Sequence, residues 1–338
     1  MVDWIIDQIV HFDFGGDVVK NGLAHFGFYD RQGRYFAVAH TRHFMGLVGE
    51  NDRLRWTVSA QLVLADVPNI AAALEFPMYV DSLNDDAIVV SNFKTAELYR
   101  IDLRTMTAHL LVDGHARGFR DMGNCVVDDE GNIWVNEVTG CRLWRLDSTG
   151  RTVEVLGDGS PGFQSDTVPF GEARFHWIYD IRRGPDRTIY VLDSRNFAVR
   201  VMDIRRRCVH TIAGDGRPGY EGDGGDARYA RFGGDPLAKF DGPISLSVDE
   251  RGNVYIGDRF NYVVRMIDCA TGVISTIAGA HDADEGANDP NEQDPLRINL
   301  PKISSMDYYD GRLFIPTDLA GDSGDLIVLR KVPGGAAA

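Results

Sequence analysis

Carboxylate, amide, imidazole and aromatic residues stand at matching positions in six similar stretches of the sequence. One set follows the second predicted strand of each stretch: His40, Asn92, Glu137, Asp193 and Asp258. The other set stands at or just before the first predicted strand: His25, Phe26, Tyr79, Asn124, His176, Trp177 and Tyr179. Carboxylates and imidazoles transfer protons, and an aromatic wall lowers the local dielectric, which raises the pKa of a carboxylic acid.

These residue types predict acid/base chemistry on a small organic molecule. We expect Glu137, His25, His40 and Asp193 to be catalytic. The remaining residues of the two sets are expected to bind the substrate: Phe26, Tyr79, Asn92, Asn124, His176, Trp177, Tyr179 and Asp258. No Gly-x-Ser-x-Gly motif is present, so a serine nucleophile is not indicated.

The carboxylates also have a structural interpretation. Asp193 and Asp258 end similar segments, Tyr-Val-Leu-Asp and Tyr-Ile-Gly-Asp, where a short carboxylate can accept backbone N–H bonds from the next turn. Glu137 breaks this rule with a longer side chain, and Asn92 breaks it with an amide. The two exceptions are therefore the stronger functional candidates.

Three histidines near one point suggest a metal site. His25 stands in the first repeat, and His40 and His43 follow its second strand, so their neutral imidazoles could ligate Zn²⁺. The alternative is that they are ordinary satisfied polar residues. The sequence therefore leaves open whether the protein binds a divalent metal, Zn²⁺ or Ca²⁺, as a cofactor.

The elements that must position these residues are short strands. In 240–279, apolar residues alternate with polar ones in four short runs separated by turns rich in Gly, Asn and Asp. Similar stretches begin at 119 and 175, and weaker ones at 22, 77 and 301. This predicts an all-β, six-bladed β-propeller of four-stranded antiparallel blades. The last repeat is short of a strand, which we expect the apolar N-terminal segment 4–12 to supply, closing the ring.

The segments Thr211-Ile-Ala-Gly-Asp-Gly216, Gly222-Asp-Gly-Gly-Asp-Ala227 and Val264-Arg-Met-Ile-Asp268 resemble the NHL-repeat family of β-propellers. The resemblance is specific over roughly 119–280. It implies six blades but no single activity, because such propellers include protein-binding and RNA-binding platforms as well as lyases.

A weaker resemblance links 123–134 to the gluconolactonase and regucalcin-type propeller hydrolases. In that family an asparagine near the start of the inner strand is a Ca²⁺ ligand, which implies Asn124 as a second metal candidate. Asn124 lies one residue out of register, and the other ligand positions of the family are not matched.

Composition fits one propeller domain over 1–333 with a disordered tail at 334–338. The formal charge of −15 argues against nucleic-acid and anionic-membrane surfaces. The four cysteines show no metal spacing, and we expect a cytoplasmic protein without a signal peptide or membrane span. The oligomeric state stays open.

The sequence thus predicts a propeller enzyme, a lyase, cyclase or hydrolase, with a non-catalytic protein- or RNA-interaction platform as the alternative.

Overall fold

The chain folds into antiparallel sheets. The computed structural model describes residues 4–13, 26–29, 35–39, 44–48, 77–105, 107–234, 241–281, 288–289, 291–301, 303–318 and 323–332. Apart from strands, these residues form short 3-10 turns: His115–Arg117, Phe170–Glu172, Ser194–Asn196, Ala227–Tyr229, Arg259–Asn261 and Pro295–Arg297.

The strands follow the predicted repeats. Strand β1 (Trp4–Asp13) comes first. The first sheet contains β2 (Phe26–Tyr29), β3 (Tyr35–Ala39) and β4 (Phe44–Val48). The second sheet contains β5 (Pro77–Asn84), β6 (Ala87–Asn92), β7 (Glu97–Asp102) and β8 (Thr107–Asp113). The third sheet contains β9 (Cys125–Val127), β10 (Ile133–Glu137), β11 (Arg142–Leu146) and β12 (Thr152–Leu156).

The later repeats continue the same order. The fourth sheet contains β13 (Val168–Pro169), β14 (Ile178–Arg183), β15 (Thr188–Asp193), β16 (Ala198–Asp203) and β17 (Cys208–Ala213). The fifth contains β18 (Ser245–Val248), β19 (Val254–Asp258), β20 (Val263–Ile267) and β21 (Ile274–Ala278). The last contains β22 (Asp307–Tyr309), β23 (Arg312–Asp318) and β24 (Ser323–Lys331) together with β1.

The expectation of six four-stranded blades needs correction. Five sheets have four strands or more, whereas the first sheet has three among the described residues. Strand β1 pairs antiparallel with β24, from Trp4 opposite Lys331 to Asp13 opposite Ser323. The N-terminal segment thus supplies the fourth strand of the last sheet, as its sequence predicted.

The repeated aspartate of the hairpin turns explains why the repeats look alike in sequence. Asp128 Oδ1 accepts the backbone N–H groups of Glu130 and Asn132, and its Oδ2 accepts the indole N–H of Trp134 at 2.9 Å. In the fifth sheet, Asp249 makes the matching bonds, with the hydroxyl of Tyr255 at 2.9 Å in place of the indole. Each turn is therefore built by local hydrogen bonds that the sequence pattern encodes.

Side chains tie the inner strands of neighbouring sheets together. Asp81 Oδ2 accepts the N–H of Val127 at 2.7 Å, and Asp180 Oδ2 accepts the N–H of Leu246 at 2.9 Å. The hydroxyl of Ser247 accepts the N–H of Tyr308 at 2.8 Å. These bonds supply partners for backbone groups at the inner edge of each sheet, where no further strand pairs.

Lys331 links the two chain ends to the fifth sheet. Its ammonium group pairs with Asp249 and lies 5.4 Å, 5.4 Å and 5.0 Å from the ring centroids of Trp4, Tyr255 and Tyr308. The cation is thus enclosed by one carboxylate and three aromatic faces, an arrangement that stabilises a partly desolvated charge.

Candidate functional site

Five inner strands present one residue each at equivalent positions. The pairing of first and second strands defines these positions: Tyr79 opposite Ser91, Asp180 opposite Leu192, and Ser245 opposite Gly257. Backbone bonds between Asn124 and Asn136 and between Ser304 and Pro316 extend the same register. We call the resulting set the channel ring: Tyr79, Asn124, Asp180, Ser245 and Ser304. All five side chains are buried.

Asn124 and Asp180 form the polar centre of the channel ring. The Asn124 amide donates to Asp180 Oδ1 at 2.5 Å, from the third sheet to the fourth. Arg182 lies 2.9 Å from the same carboxylate and donates to the carbonyl of Leu246 at 2.8 Å. Burial raises the pKa of Asp180 to about 6, although Arg182 opposes this shift. Burial and the Arg182 ion pair thus shift the pKa of Asp180 in opposite directions, and burial has the larger effect.

The guanidinium of Arg182 lies over an aromatic face of the channel ring. Its central carbon is 4.5 Å from the ring centroid of Tyr79. Burial raises the pKa of the Tyr79 hydroxyl well above its ordinary value. The cation therefore meets a neutral phenol and the Asp180 carboxylate in a nearly dry setting.

Several buried oxygens near the channel ring have no hydrogen-bond partner within the part of the chain that the structure describes. They are Asn124 Oδ1, Asn136 Oδ1, Ser245 Oγ, Ser304 Oγ and Ser305 Oγ. The other end of the Asn136 amide is satisfied, since it donates to the carbonyl of Ile178 at 2.7 Å. Buried polar atoms almost always have partners, so this concentration marks a place that favours polar ligands or water.

An aromatic and cationic wall stands at the start of the fourth sheet. Trp177 has a left-handed backbone with φ of 57°, which is strained for a bulky residue. The Arg195 guanidinium lies 4.4 Å from its ring centroid. Burial, reinforced by Arg195, lowers the pKa of His176, and burial raises the pKa of Tyr179. Three predicted substrate-binding residues thus lie close together in sequence and are partly exposed: His176, Trp177 and Tyr179.

The structure favours the structural interpretation of Asp193 and Asp258. Both are fully buried. Asp193 Oδ1 accepts the N–H of His176 at 2.7 Å, and its Oδ2 accepts the amide of Asn196 at 2.8 Å. Asp258 makes the same pair of bonds with Gly233 and Asn261, at 2.9 and 2.8 Å. Each carboxylate fixes the loop that leads into an inner strand.

Glu137 makes the same anchor with a longer side chain. It is fully buried, and its two oxygens accept the N–H of Arg120 at 2.6 Å and the indole of Trp144 at 3.1 Å. Gly140 stands where the fourth sheet has Asn196, so the extra methylene of Glu137 fills the space of a missing amide. The geometry therefore favours an anchor over the general acid or base that its exceptional length suggested.

The other predicted residues are not brought into one cluster. Asn92 is buried at the end of β6, opposite Pro77. Phe26 opens β2, where only the backbone is described. His25, His40 and His43 lie outside the described residues, so their roles stay predictions. Within the ranges that are described, no three His, Cys, Asp or Glu side chains are grouped to hold a metal ion.

Sequence reasoning missed Asp180, Arg182 and Ser245. The signal was present in the inner strand Ile178-Tyr-Asp-Ile-Arg182, where two charged residues stand two positions apart in an otherwise apolar or aromatic segment. A different feature lies at the opposite rim, where a cavity of about 450 Å³ is lined by hairpin residues that include Arg183, Glu250 and Tyr308. It contains none of the predicted site residues.

Together, the radial order of antiparallel sheets and the polar residues on their inner strands define a β-propeller. No protein-family model matches the chain. Protein SUPPRESSOR OF QUENCHING 1, chloroplastic, of Arabidopsis thaliana is 24% identical over 213 residues, which are 61% of this chain and 19% of that protein. The chain thus spans about a fifth of the length of that relative.

Solved structures of similar fold cover nearly the whole chain. Streptogramin B lyase has a TM-score of 0.56 at 11% identity, over 96% of this chain and 98% of that one. Virginiamycin B lyase from Staphylococcus aureus has a TM-score of 0.54 at 12% identity, over 98% and 100%. Luciferin-regenerating enzyme has a TM-score of 0.54 at 10% identity, over 97% and 96%. At such identities the likeness extends to the fold alone.

Among the described residues, no helix is long and apolar enough to span a membrane.

Proposed function

We propose that this protein binds a small polar organic molecule at the channel ring and acts on it by acid/base chemistry, as a lyase, cyclase or hydrolase. The observation that carries the proposal is the pair formed by Asn124 and Asp180. One member is a proton-exchanging carboxyl with a pKa of about 6, and the other directs a buried, unpartnered amide oxygen into the same region of the described structure.

The proposal treats the three-stranded first sheet as a sixth blade. Strand β2 contacts β22 on one side and β5 on the other, and the inner strands β5, β9, β14, β18 and β22 contact one another in that order. These contacts support a ring of six inner strands that would enclose one channel. With β1 paired to β24, the last blade would join the first and last strands of the chain and close the ring.

The roles follow from the chemistry of each group. Asp180 would give a proton to a leaving group or take one from a carbon or hydroxyl, since its pKa lies near the working pH. Arg182 would stabilise negative charge that develops on the substrate. Asn124, Ser245 and Ser304 would accept hydrogen bonds from substrate N–H and O–H groups, and the wall of Trp177 and Tyr179 would cover an apolar part.

The names of the similar structures agree with this class of function. Two are called lyases and one an enzyme that regenerates luciferin. Propellers of this shape therefore carry enzyme activities, although the fold does not choose one of them.

The interaction platform is the second candidate function. It is favoured by the match to a small part of a much longer protein, because a propeller that forms one module of a larger chain often serves recognition. The net charge of −15 favours protein over RNA as the partner. Under this alternative the polar atoms of the channel ring would bind water.

A ligand screen separates the two candidates. Thermal shift measurements with lactones and other small amide- or hydroxyl-bearing compounds should give ligands that stabilise the wild type. We expect Asn124→Leu and Ser245→Ala to lose the response and the exposed control Ser160→Ala to keep it. Ligands that bind all four proteins alike would contradict binding at the channel ring.

A further inference from the structure

Two long loops of the chain are built on one template. Residues 157–175 lead into the fourth sheet and residues 214–232 into the fifth, and they align without a gap from glycine to phenylalanine. Each loop covers an arginine on the third strand of its sheet, Arg200 in β16 and Arg265 in β20. Both arginine side chains are fully buried. The two arginines can therefore be compared atom by atom.

Every nitrogen of the Arg265 guanidinium has a hydrogen-bond partner. Its Nε and Nη2 atoms both donate to Asp223 Oδ1, at 3.0 and 2.7 Å. Nη2 also donates to the carbonyl of Glu221 at 2.9 Å, and Nη1 donates to the carbonyl of Arg231 at 2.7 Å. The second oxygen of Asp223 accepts the N–H of Thr276 at 2.9 Å. The fifth sheet thus holds a carboxylate between a guanidinium edge and a strand N–H.

Arg200 has only half of these contacts. Its Nη1 donates to the carbonyl of Arg174 at 3.3 Å and to Asp193 at 3.2 Å. Its Nε and Nη2 atoms, the edge that binds Asp223 in the other sheet, have no hydrogen-bond partner among the described residues. The rings of Phe163 and Phe175 lie 5.9 and 5.8 Å from the guanidinium carbon. This is a buried cationic donor pair between two aromatic residues.

In the fourth sheet, the polar groups of the loop 157–175 do not bond to Nε and Nη2 of Arg200. Asp166 aligns with Asp223, yet its side chain is exposed. Gln164 aligns with Glu221, but its carbonyl accepts the hydroxyl of Thr211 at 2.9 Å. The Gln164 side chain is also engaged, since it accepts the N–H of Arg174 and donates to the carbonyl of Glu172. These bonds direct the Gln164 carbonyl and side chain to partners other than Arg200.

We propose that the Nε and Nη2 edge of Arg200 is a binding site for the carboxylate group of a small molecule. Asp223 shows the bound arrangement, because it presents a carboxylate to the equivalent edge of Arg265. In that arrangement one carboxylate oxygen accepts both the Nε–H and the Nη2–H, and such charge-assisted hydrogen bonds are about twice as strong as bonds to neutral groups. Entry of the ligand requires residues 163–167 to move, and all of these except Gln164 are exposed. The site is separate from the channel ring and does not depend on the function proposed there.

The test uses acetate and benzoate as the probes. We would measure the melting temperature of the full chain at constant ionic strength and pH 7 against acetate, benzoate, acetamide, benzamide, chloride and inorganic phosphate. Saturable stabilisation of roughly 2–4 °C by the two carboxylates alone is expected. Arg200→Gln should abolish it. Asp166→Asn should retain it, because Asp166 does not occupy the site.

A second variant keeps the test decisive if Arg200→Gln does not fold. Asp223→Ala exposes the equivalent edge of Arg265, so it should lower the melting temperature and show a larger acetate response than the wild type. Equal responses to acetate, acetamide, phosphate and chloride in the wild type would overturn the proposal. A wild type that does not respond, combined with an Asp166→Asn variant that is destabilised and gains a response, would also overturn it, because Asp166 itself would then fill the site.

Discussion

The side-chain amide of Asn124 donates to Oδ1 of Asp180 at 2.5 Å, across the boundary between the third and fourth sheets. The bond fixes the direction of the amide, so that the opposite end of Asn124 is the acceptor Oδ1 atom, which has no partner among the described residues. One contact thus joins a structural role, holding two sheets together, with a group able to accept a ligand. The account of this protein depends on that pair.

Glu137 gives a prediction that separates an anchor from a catalytic group. Because both of its oxygens accept hydrogen bonds in a buried site, Glu137→Gln should lose about 2 kcal/mol of unfolding free energy. Ligand binding and turnover per folded molecule should be unchanged. Urea unfolding and assays at a temperature where the variant is folded would check both. Loss of turnover without loss of stability would restore the catalytic role.

Lys331 gives a prediction about the contact of strands β1 and β24 with the fifth sheet. Lys331→Met keeps the apolar stem but leaves the buried carboxylate of Asp249 without its cation, and should cost about 2 kcal/mol of unfolding free energy. The matched control is Arg151→Met, whose partner Asp147 forms an exposed ion pair, with an expected cost below about 0.5 kcal/mol. If chemical denaturation gave equal losses of unfolding free energy for the two variants, the enclosed Lys331 would contribute no more than an exposed ion pair.

Asp258 gives a prediction about pH. Burial raises its pKa to about 7, so between pH 4 and pH 7 the folded protein keeps a proton that the unfolded chain has lost. The free energy of unfolding should therefore fall as pH rises through this window, with about 4 kcal/mol as the upper bound for this group. Asp180 and Asp193, each with a pKa raised to about 6 by burial, act with the same sign. Asp258→Asn should flatten the profile, and an unchanged slope in that variant would refute the assignment.

Metal analysis tests the histidine prediction. If His25, His40 and His43 hold Zn²⁺, protein purified without chelator should contain about one equivalent of zinc by mass spectrometry and should lose stability in EDTA. A triple change of these histidines to glutamine should remove the zinc. Calcium in place of zinc, lost in Asn124→Leu, would favour the second metal candidate. Protein without stoichiometric metal and indifferent to EDTA would exclude both.

The blades were predictable because their signals are local. Alternating apolar residues and the Asp-x-x-Gly-Asn turns at Asp128 and Asp249 each fix a hairpin within a few residues, so the repeats could be aligned from sequence. The first repeat differs from the prediction, because it forms three strands rather than four among the described residues.

The candidate site was only partly predictable from the strand pattern. Counting from the hairpin turns selected Tyr79 and Asn124; the structure pairs Tyr79 with Ser91 and bonds Asn124 to Asp180, and their binding roles stay predictions. In the fourth sheet the pairing runs without a break from the hairpin turn to Asp180, and the predicted residue Tyr179 stands in the bulge between Ile178 and Asp180. The length of Glu137 is accommodated by Gly140 and by a hydrogen bond from Trp144, which the sequence alone does not reveal, and its catalytic role stays a prediction. The cytoplasmic location stays a prediction.

Turnover by Asp180→Asn is the measurement that tests the central claim most directly. On a compound that the wild type converts, the account predicts a loss of kcat of at least about 100-fold with little change in binding, since the amide keeps the shape but cannot exchange a proton. The wild-type profile of kcat/KM against pH should show an ionisation near 6. A folded Asp180→Asn protein with wild-type kcat would contradict acid/base chemistry at the channel ring.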